Sequence, residues 1–344
     1  MALTTGERSL HKTQVGLETT HGTAVAATAM LNGLSSGIGD LDRAPANPNE
    51  DYGVLAMNQP SRGYYGVRRA TMPWRGDVRF EDLMYPLAAG TAGGVTPTLV
   101  ATGVYLWTYT ADNASDSLSS FTIEEGDNIQ AWKMPYSLVE SLKLSFGSLS
   151  APGNTPWQQD VTWIGQDKVA VTFAAVSSLA SAETAMGHLT TIAVGSTATA
   201  FAALAALQGI VSCEVDLPSG VTTRKWGDSA LDTFSFHGRG KIAPQLKWRM
   251  YQSAATTSPL MTTGFLAAGS PMGESRVQIK TTGSIINTTY AKTLTINARI
   301  RWQAVKVAED ADATIYDVTG DCVYDSTLGG IYQVLVQNAV ATLP

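Results

Sequence analysis

The sequence has few charged residues: only 15% of its 344 residues are Asp, Glu, Lys or Arg, against a usual share of about 25%. The 23 basic side chains are outnumbered by 29 acidic ones, which gives a formal net charge of −6 at pH 7. A protein that binds nucleic acid over a broad surface needs an excess of Lys and Arg. The composition therefore excludes that class and predicts that any contact with DNA is weak or repulsive.

Cysteine is also scarce: Cys213 and Cys322 are the only two, so no disulfide framework is expected. Long apolar runs are missing, because Thr, Ser, Gly and Gln interrupt the least charged stretch, 185–213, well before the roughly 20 apolar residues that a membrane helix needs. The N-terminal segment, Met1 to Asn32, has no apolar centre like that of a signal peptide. We expect a protein that is made in a cytoplasm, with reduced thiols and no membrane insertion.

Motifs for catalysis, metals and cofactors are missing as well. Gly227-Asp228-Ser229 resembles the start of a family of esterases, but such a serine needs a histidine base far downstream, and no histidine follows His237. The histidines are too scattered to be metal ligands, and the acidic run from Glu309 to Asp325 lacks the spacing of a calcium loop. We therefore expect no enzyme activity, no metal and no cofactor.

What the sequence does contain is an alternation of apolar and polar residues, which predicts β-strands. In the clearest run, Thr293 to Trp302, every second residue is apolar: Leu294, Ile296, Ala298, Ile300 and Trp302. The opposite, solvent-facing side of this predicted central strand consists of Thr293, Thr295, Asn297, Arg299 and Arg301. Less regular patterns predict strands at residues 64–72, 104–110, 120–125, 137–146, 160–164, 231–237, 313–318 and 331–336. So many strands indicate a mainly β fold of sandwiches or barrels.

Two short helices are predicted among these strands. Apolar residues recur with helical spacing after Val78, with Asp77 as the N-cap and with Pro86 ending or kinking the helix near Tyr85. A second helix is predicted from Pro244 to Tyr251.

Short segments recur in the same order in the two halves of the chain, which indicates an internal duplication. The tetrapeptide RGDV at Arg75 resembles RGKI at Arg239, and Leu87–Gly90 recurs as Leu266–Gly269. The predicted organisation is a first β domain at 1–173, a low-complexity linker at 174–200 and a second β domain at 201–344, each domain being sandwich-like or barrel-like with one short α-helix.

One segment points to a family. The run from Gln14 to Ala27, QVGLETTHGTAVAA, resembles the opening of the tail tube proteins of long-tailed bacteriophages. The elements that follow resemble those of the same family in their order: a long loop, a strand, a short helix at Phe80–Leu83, a strand at Ser141–Phe146 and then Trp163-Ile-Gly165. In that family a doubled subunit forms homotrimers that imitate hexameric rings.

The resemblance implies a structural protein of the virion whose rings stack into a tail tube. DNA would pass through the tube without specific binding, and the expected partners are further copies of the chain, a tape-measure protein and the tail terminator and tip proteins. Closing the inner sheets into one barrel removes their unpaired edges and would give roughly 24 strands. Three chains would carry three times −6, or −18 formal charges, and a mildly negative wall repels DNA phosphates. The polar side of the strand at 293–302 is the candidate lumen-facing surface.

The segment from Leu41 to Gly63 is long for a connection between strands, which is usually about 2 to 6 residues. The resemblance implies that this loop reaches the adjacent ring. Its charged residues, the candidate stacking contacts, are Asp42, Arg43, Glu50, Asp51 and Arg62.

The alternative function is a β-sandwich binding module, such as a surface or fibre adhesion domain for carbohydrate or protein. An aromatic platform for sugars would come from Trp74, Trp107, Trp132, Trp157 and Trp163. Aromatic residues on alternating strands belong more often to the core.

Overall fold

The computed structural model describes residues 10–35, 37–39, 45–46, 64–92, 95–112, 117–147, 155–176, 181–227, 232–253, 273–310 and 313–343. These residues form 22 strands and one α-helix, α1 (Met84–Gly90), which confirms the prediction of a mainly β fold. In chain order the strands are β1 (Lys12–Leu17), β2 (Ala29–Leu31), β3 (Leu34–Ser35), β4 (Pro45–Ala46), β5 (Tyr64–Tyr65), β6 (Ala70–Asp77), β7 (Thr98–Ala101), β8 (Val104–Asp112), β9 (Phe121–Gly126), β10 (Ala131–Phe146), β11 (Gln158–Gly165), β12 (Val169–Val171), β13 (Thr190–Ser196), β14 (Ala205–Leu207), β15 (Ile210–Pro218), β16 (Val221–Arg224), β17 (Phe236–Arg239), β18 (Gln245–Tyr251), β19 (Glu274–Ile285), β20 (Ala291–Asp310), β21 (Ala313–Val323) and β22 (Gly330–Asn338).

One antiparallel ladder runs through β3, β6, β11, β10, β15, β18, β21 and β20. At the long strand β20 it continues in two directions, to β19, β13 and β14 along one edge and to β22, β8 and β7 along the other. The segment before β13 closes the ladder into a barrel, because Ala185 donates to Val78 (2.8 Å) while Trp157 donates to Ala185 (2.8 Å) through their backbone groups.

Strand β10 belongs to two layers. Its first residues pair with β9 and β12, and β9 pairs in turn with β1. Its later residues pair with β11 and β15. Between the two parts the register with β9 shifts after Met134, and Tyr136 has a φ of +53°, which is uncommon for a residue other than glycine. This kink lets one strand join both layers.

Helix α1 exists where a helix was predicted, but its bounds differ from the prediction. It begins at Met84 rather than near Val78, because the backbone of Val78 and Phe80 is bonded to Trp157 and Glu183, far away in sequence. Asp77 is the last residue of β6 and not an N-cap. Pro86 lies in the first turn, where its missing N–H costs nothing, so the helix continues to Gly90. All seven of its residues are buried.

The second predicted helix is wrong. Gln245–Tyr251 is strand β18, in which Leu246, Trp248 and Met250 point alternately into the core. Their spacing of two residues is the period of a strand and not of a helix. Outside α1, the described residues contain helical structure only in short 3₁₀ turns such as Gly187–Leu189.

The strand predictions are largely confirmed. The apolar residues of the run at 293–302 are all buried, and their strand, β20, is central because β19 and β22 flank its first half. Two predicted strands are shorter than expected. The region 64–72 contains the two-residue β5 and the start of β6, and β17 begins only at Phe236.

The hydrophobic core draws on both halves of the chain. One cluster of buried residues includes Trp107 and Val161 from the first half together with Ile296 and Val334 from the second. Two ladders also cross between the halves, β10 with β15 and β8 with β22. Strand β13 lies inside the segment 174–200, so part of the predicted linker is a strand of the sheet. The division into two tandem domains stays a prediction.

Candidate functional site: a polar sheet face between two uncharged edges

The polar side of β20 is the centre of a broad sheet face. Thr295 lies opposite Lys280 of β19 and Leu335 of β22, and Asn297 lies opposite Gln278 and Gln333 of the same two strands. Strand β8 extends the face with Thr108 and Thr110. Threonine and side-chain amides therefore dominate the middle of this surface, which we call the polar face.

The five residues predicted to share one side of β20 do so: Thr293, Thr295, Asn297, Arg299 and Arg301 alternate with the buried residues of the core. The prediction that all five side chains face solvent is wrong for Thr295 and Asn297. Thr295 is only 7% exposed and Asn297 only 5% exposed, since side chains on the flanking strands cover them. Gln278 Nε2 donates to Asn297 Oδ1 at 2.9 Å, so the buried amide keeps a partner.

A cluster of three charged residues lies at one end of the polar face. The Glu274 carboxylate accepts hydrogen bonds from both Arg299 and Arg301, the latter at 3.1 Å. Partial burial of Glu274 opposes its ionisation, but the hydrogen bonds from the two guanidinium groups outweigh it and lower the pKa of the carboxyl. Lys280 lies farther along the face, opposite Thr295, and is exposed, so the described part of this face carries more cations than anions. The acidic excess of the chain therefore does not lie on the predicted lumen surface.

The polar face ends at two short strands without charged residues. Strands β7 and β14 are the outermost members of the seven-strand series β7, β8, β22, β20, β19, β13 and β14. Leu99 of β7 is 62% exposed, and Ala205 and Ala206 of β14 are exposed too. Among the described residues, each of the two strands pairs on one side only. Natural edge strands are usually protected by charge, proline or a covering segment, and no other described strand pairs with the outer side of either of these two.

A buried ion pair holds the turn that leads into β14. Arg276 of β19 donates to both oxygens of Asp325, at 2.7 and 3.0 Å, and also to the backbone oxygen of Thr199 at 3.0 Å. Its guanidinium group lies 5.1 Å from the centre of the Phe201 ring. Burial opposes ionisation of Asp325, but the hydrogen bond from Arg276 lowers its pKa. The sequence contains no signal for this pair, because the two residues are 49 positions apart.

The segment that carries the family resemblance is tied to the sheet through Glu18. Its carboxylate accepts hydrogen bonds from Ser120 Oγ (2.7 Å), Thr122 Oγ1 (2.8 Å), the N–H of Gly22 (3.0 Å) and the N–H of Tyr136 (2.9 Å). These bonds join the turn after β1 to β9 and to the kink in β10. Glu18 therefore has a structural role, since its oxygens satisfy buried donors.

The proposed aromatic platform is not formed. Trp74, Trp107, Trp157 and Trp163 are fully buried in the core, and Trp132 is half-buried. Four of the five indoles are therefore inaccessible to a sugar.

The five candidate stacking residues, Asp42, Arg43, Glu50, Asp51 and Arg62, lie outside the described residues, as do Asp228 and Ser229. None of the helices in the described residues has the length and apolar character that crossing a membrane requires. No protein-family model matches the chain, and no curated protein matches it either.

Proposed function

We propose that the protein is a structural subunit that assembles into rings, and that the rings stack into the tail tube of a bacteriophage. The observation that carries this proposal is the seven-strand sheet with an open, uncharged edge at each side, β7 and β14. Pairing β7 of one copy with β14 of the next would satisfy backbone groups that otherwise face water. It would also cover Leu99, whose burial is favourable.

Such pairing is head-to-tail, because the two edges differ in sequence. Head-to-tail contacts propagate from copy to copy until the rotation closes a ring. If three copies each contribute seven strands, the ring has about 21 strands, close to the widest barrels that enclose a lumen. The homotrimer implied by the family resemblance is consistent with this number.

The polar face would then line the lumen. Uncharged Thr, Asn and Gln side chains do not release counterions from DNA as Lys and Arg do, so they bind a duplex weakly. Arg299 and Arg301 are already engaged by Glu274, which reduces their attraction for phosphate. Passage of DNA without specific binding is therefore part of the proposal. The proposal also includes location in the virion and contact with tape-measure, terminator and tip proteins.

The test is the assembly state of the purified protein, measured by analytical ultracentrifugation and negative-stain microscopy. We expect rings or tubes from the wild-type chain, and monomers with unchanged thermal stability from Leu99→Lys and from Ala206→Lys. Val169→Lys is the matched control, because Val169 is an exposed apolar residue on β12, away from both edges. Monodisperse wild-type monomers would contradict the proposal and favour the alternative, a β-sandwich binding module.

A further inference from the structure

The two outermost strands of the polar face, β7 and β14, run in the same direction. Six ladders connect the series β7, β8, β22, β20, β19, β13 and β14, and each of these ladders is antiparallel. The direction of the chain therefore reverses at every step along the series. After six reversals, β14 points the same way as β7.

The symmetry of a ring fixes how two such strands can meet. Rotation about the ring axis does not reverse a strand, so β7 has the same direction along the axis in every copy, and so does β14. A junction between β7 of one copy and β14 of the next therefore joins strands that run in the same direction. The strand count gives the same result. A closed barrel in which all neighbours are antiparallel needs an even number of strands, whereas three copies of a seven-strand series give an odd number.

The two edges are matched in length and charge. Strand β7 has four residues, TLVA, and β14 has three, AAL, so neither strand contains a charged residue. No side chain of either strand would have to bring a charge out of water when the two strands pair, which otherwise carries a large cost. Two short, uncharged edges therefore suit each other.

The side chains of the two edges also lie on matching sides of the sheet. Leu99 lies opposite Tyr105, and Tyr105 lies opposite the buried Asn338, which places Leu99 on the core side. Ala205 is on the core side too, because it lies opposite Val194, which is 2% exposed. A junction between the two strands would therefore continue the apolar side of the sheet from one copy to the next.

We propose that the ring closes through a parallel ladder between β7 of one copy and β14 of the next. The inference rests on the proposed function and adds the direction of the lateral contact. The register of β7 with β8 shifts between Leu99 and Ala101, but the direction of the junction does not depend on register. Parallel ladders are slightly less stable per residue than antiparallel ones, and these two strands are short. The junctions are therefore the ladders at which a ring separates into intact subunits.

Disulfide formation between introduced cysteines measures the direction of the junction. Thr98 and Ala205 begin the two strands, whereas Thr102 and Gln208 directly follow their ends. All four residues are exposed. Two same-end variants carry Thr98→Cys with Ala205→Cys, or Thr102→Cys with Gln208→Cys. Two opposite-end variants carry the same substitutions in the other combinations, Thr98→Cys with Gln208→Cys and Thr102→Cys with Ala205→Cys.

A parallel junction brings the same-end pairs together. Opposite ends are three to four residues farther apart along the strands, about 10–13 Å, which exceeds the Cα separation of about 7 Å that a disulfide allows. Oxidised rings of the same-end variants should therefore give at least about tenfold more covalently closed trimer in denaturing gels than those of the opposite-end variants.

The design contains its own controls. Each substitution occurs once in either class, so a substitution that disturbs folding affects both classes alike. Within one chain five strands separate β7 from β14, so the two introduced thiols do not meet in the same copy. The native thiols should stay unreactive, because burial raises the pKa of both Cys213 and Cys322.

The outcomes are distinct. Covalent trimers from the opposite-end variants would show an antiparallel junction and overturn the inference while ring formation stands. Rings seen by microscopy without cross-links in any of the four variants would place the lateral contact elsewhere. Covalent dimers from a chain with Thr98→Cys alone would show a twofold contact between identical edges, which closes as a dimer and also overturns the inference. A wild-type protein that forms no rings would overturn the proposed function together with this inference.

Discussion

Ile296 shows how much one residue contributes in this sheet. It is 1% exposed on β20, and its strand is flanked on both sides. Replacing it with Asp would bury a carboxylate without a partner, since its neighbours on that face are apolar. We expect Ile296→Asp to lower the free energy of unfolding by roughly 4 kcal/mol or more and to reduce solubility.

Urea unfolding of the purified variants measures this change. Ile296→Val is the control, because it removes one methylene and should cost only about 0.5–1.5 kcal/mol. On the opposite side of the strand, Thr295→Ser and Arg299→Lys should be tolerated, since both keep the polar group that meets the flanking strands. A melting temperature near that of the wild type for Ile296→Asp would show that the side of β20 is assigned wrongly.

At the scale of elements, the C-terminal strand β22 is an internal member of the sheet. It pairs with β20 on one side and with β8 on the other. The residues after it also contribute, because Trp107 Nε1 donates to the backbone oxygen of Val340 at 3.2 Å. A chain that ends at Gly330 would expose both neighbouring strands and the core residues that β22 covers.

We therefore expect truncation after Gly330 to abolish soluble folding, as judged by the soluble fraction and by circular dichroism. Truncation after Val340 is the control, because it keeps β22 and the contact with Trp107 and should yield folded protein. A soluble, folded chain that ends at Gly330 and still forms rings would contradict the role assigned to β22.

At the scale of the whole molecule, partly buried carboxylates couple stability to pH. Burial of Glu214 opposes its ionisation, but hydrogen bonds from Lys143 and Lys247 outweigh burial and lower its pKa. The balance at Glu183 is the same, with hydrogen bonds from Ser284 and Lys292. Glu274 and Asp325 follow this pattern, as described above.

A carboxyl whose pKa is lowered by folding stabilises the protein above its unfolded pKa, and that stability is lost as the pH falls through the folded pKa. Four such groups predict that the free energy of unfolding is roughly constant near neutral pH and falls below about pH 4.5. Asp82 acts in the opposite direction, because burial raises its pKa. Urea unfolding between pH 3 and pH 7 checks this. Stability that increases steadily towards pH 3 would show that groups such as Asp82 dominate.

The predicted stacking loop also acts at the scale of the assembly. Replacing residues 44–59 by a short Gly/Ser linker should leave soluble trimers but prevent long tubes, because the variant lacks the proposed contact with the next ring. In the wild-type chain, three prolines in Leu41–Gly63 limit the entropy that the loop loses when it is ordered against that ring. Electron microscopy of the variant measures tube length. Tubes of ordinary length would show that this loop does not mediate stacking.

The mainly β class and the buried side of β20 are predictable from local sequence, because alternation is a property of adjacent residues. Local sequence also indicated a helix in the region of α1, but neither its start nor its continuation through Pro86 to Gly90. The start differs because the bonds of Val78 and Phe80 to Trp157 and Glu183 depend on distant segments. The same limit explains β18: Pro244 suggested the start of a helix, whereas pairing with β15 and β21 made the segment a strand.

Contacts between distant segments, by contrast, set which strands lie at the rim of the sheet and bring Arg276 to Asp325. Strands β7 and β14 have four and three residues, too few for a periodic pattern to distinguish them. Their position at the rim follows from the order in which the longer strands pair. That order depends on contacts between residues far apart in the chain, which local patterns do not encode.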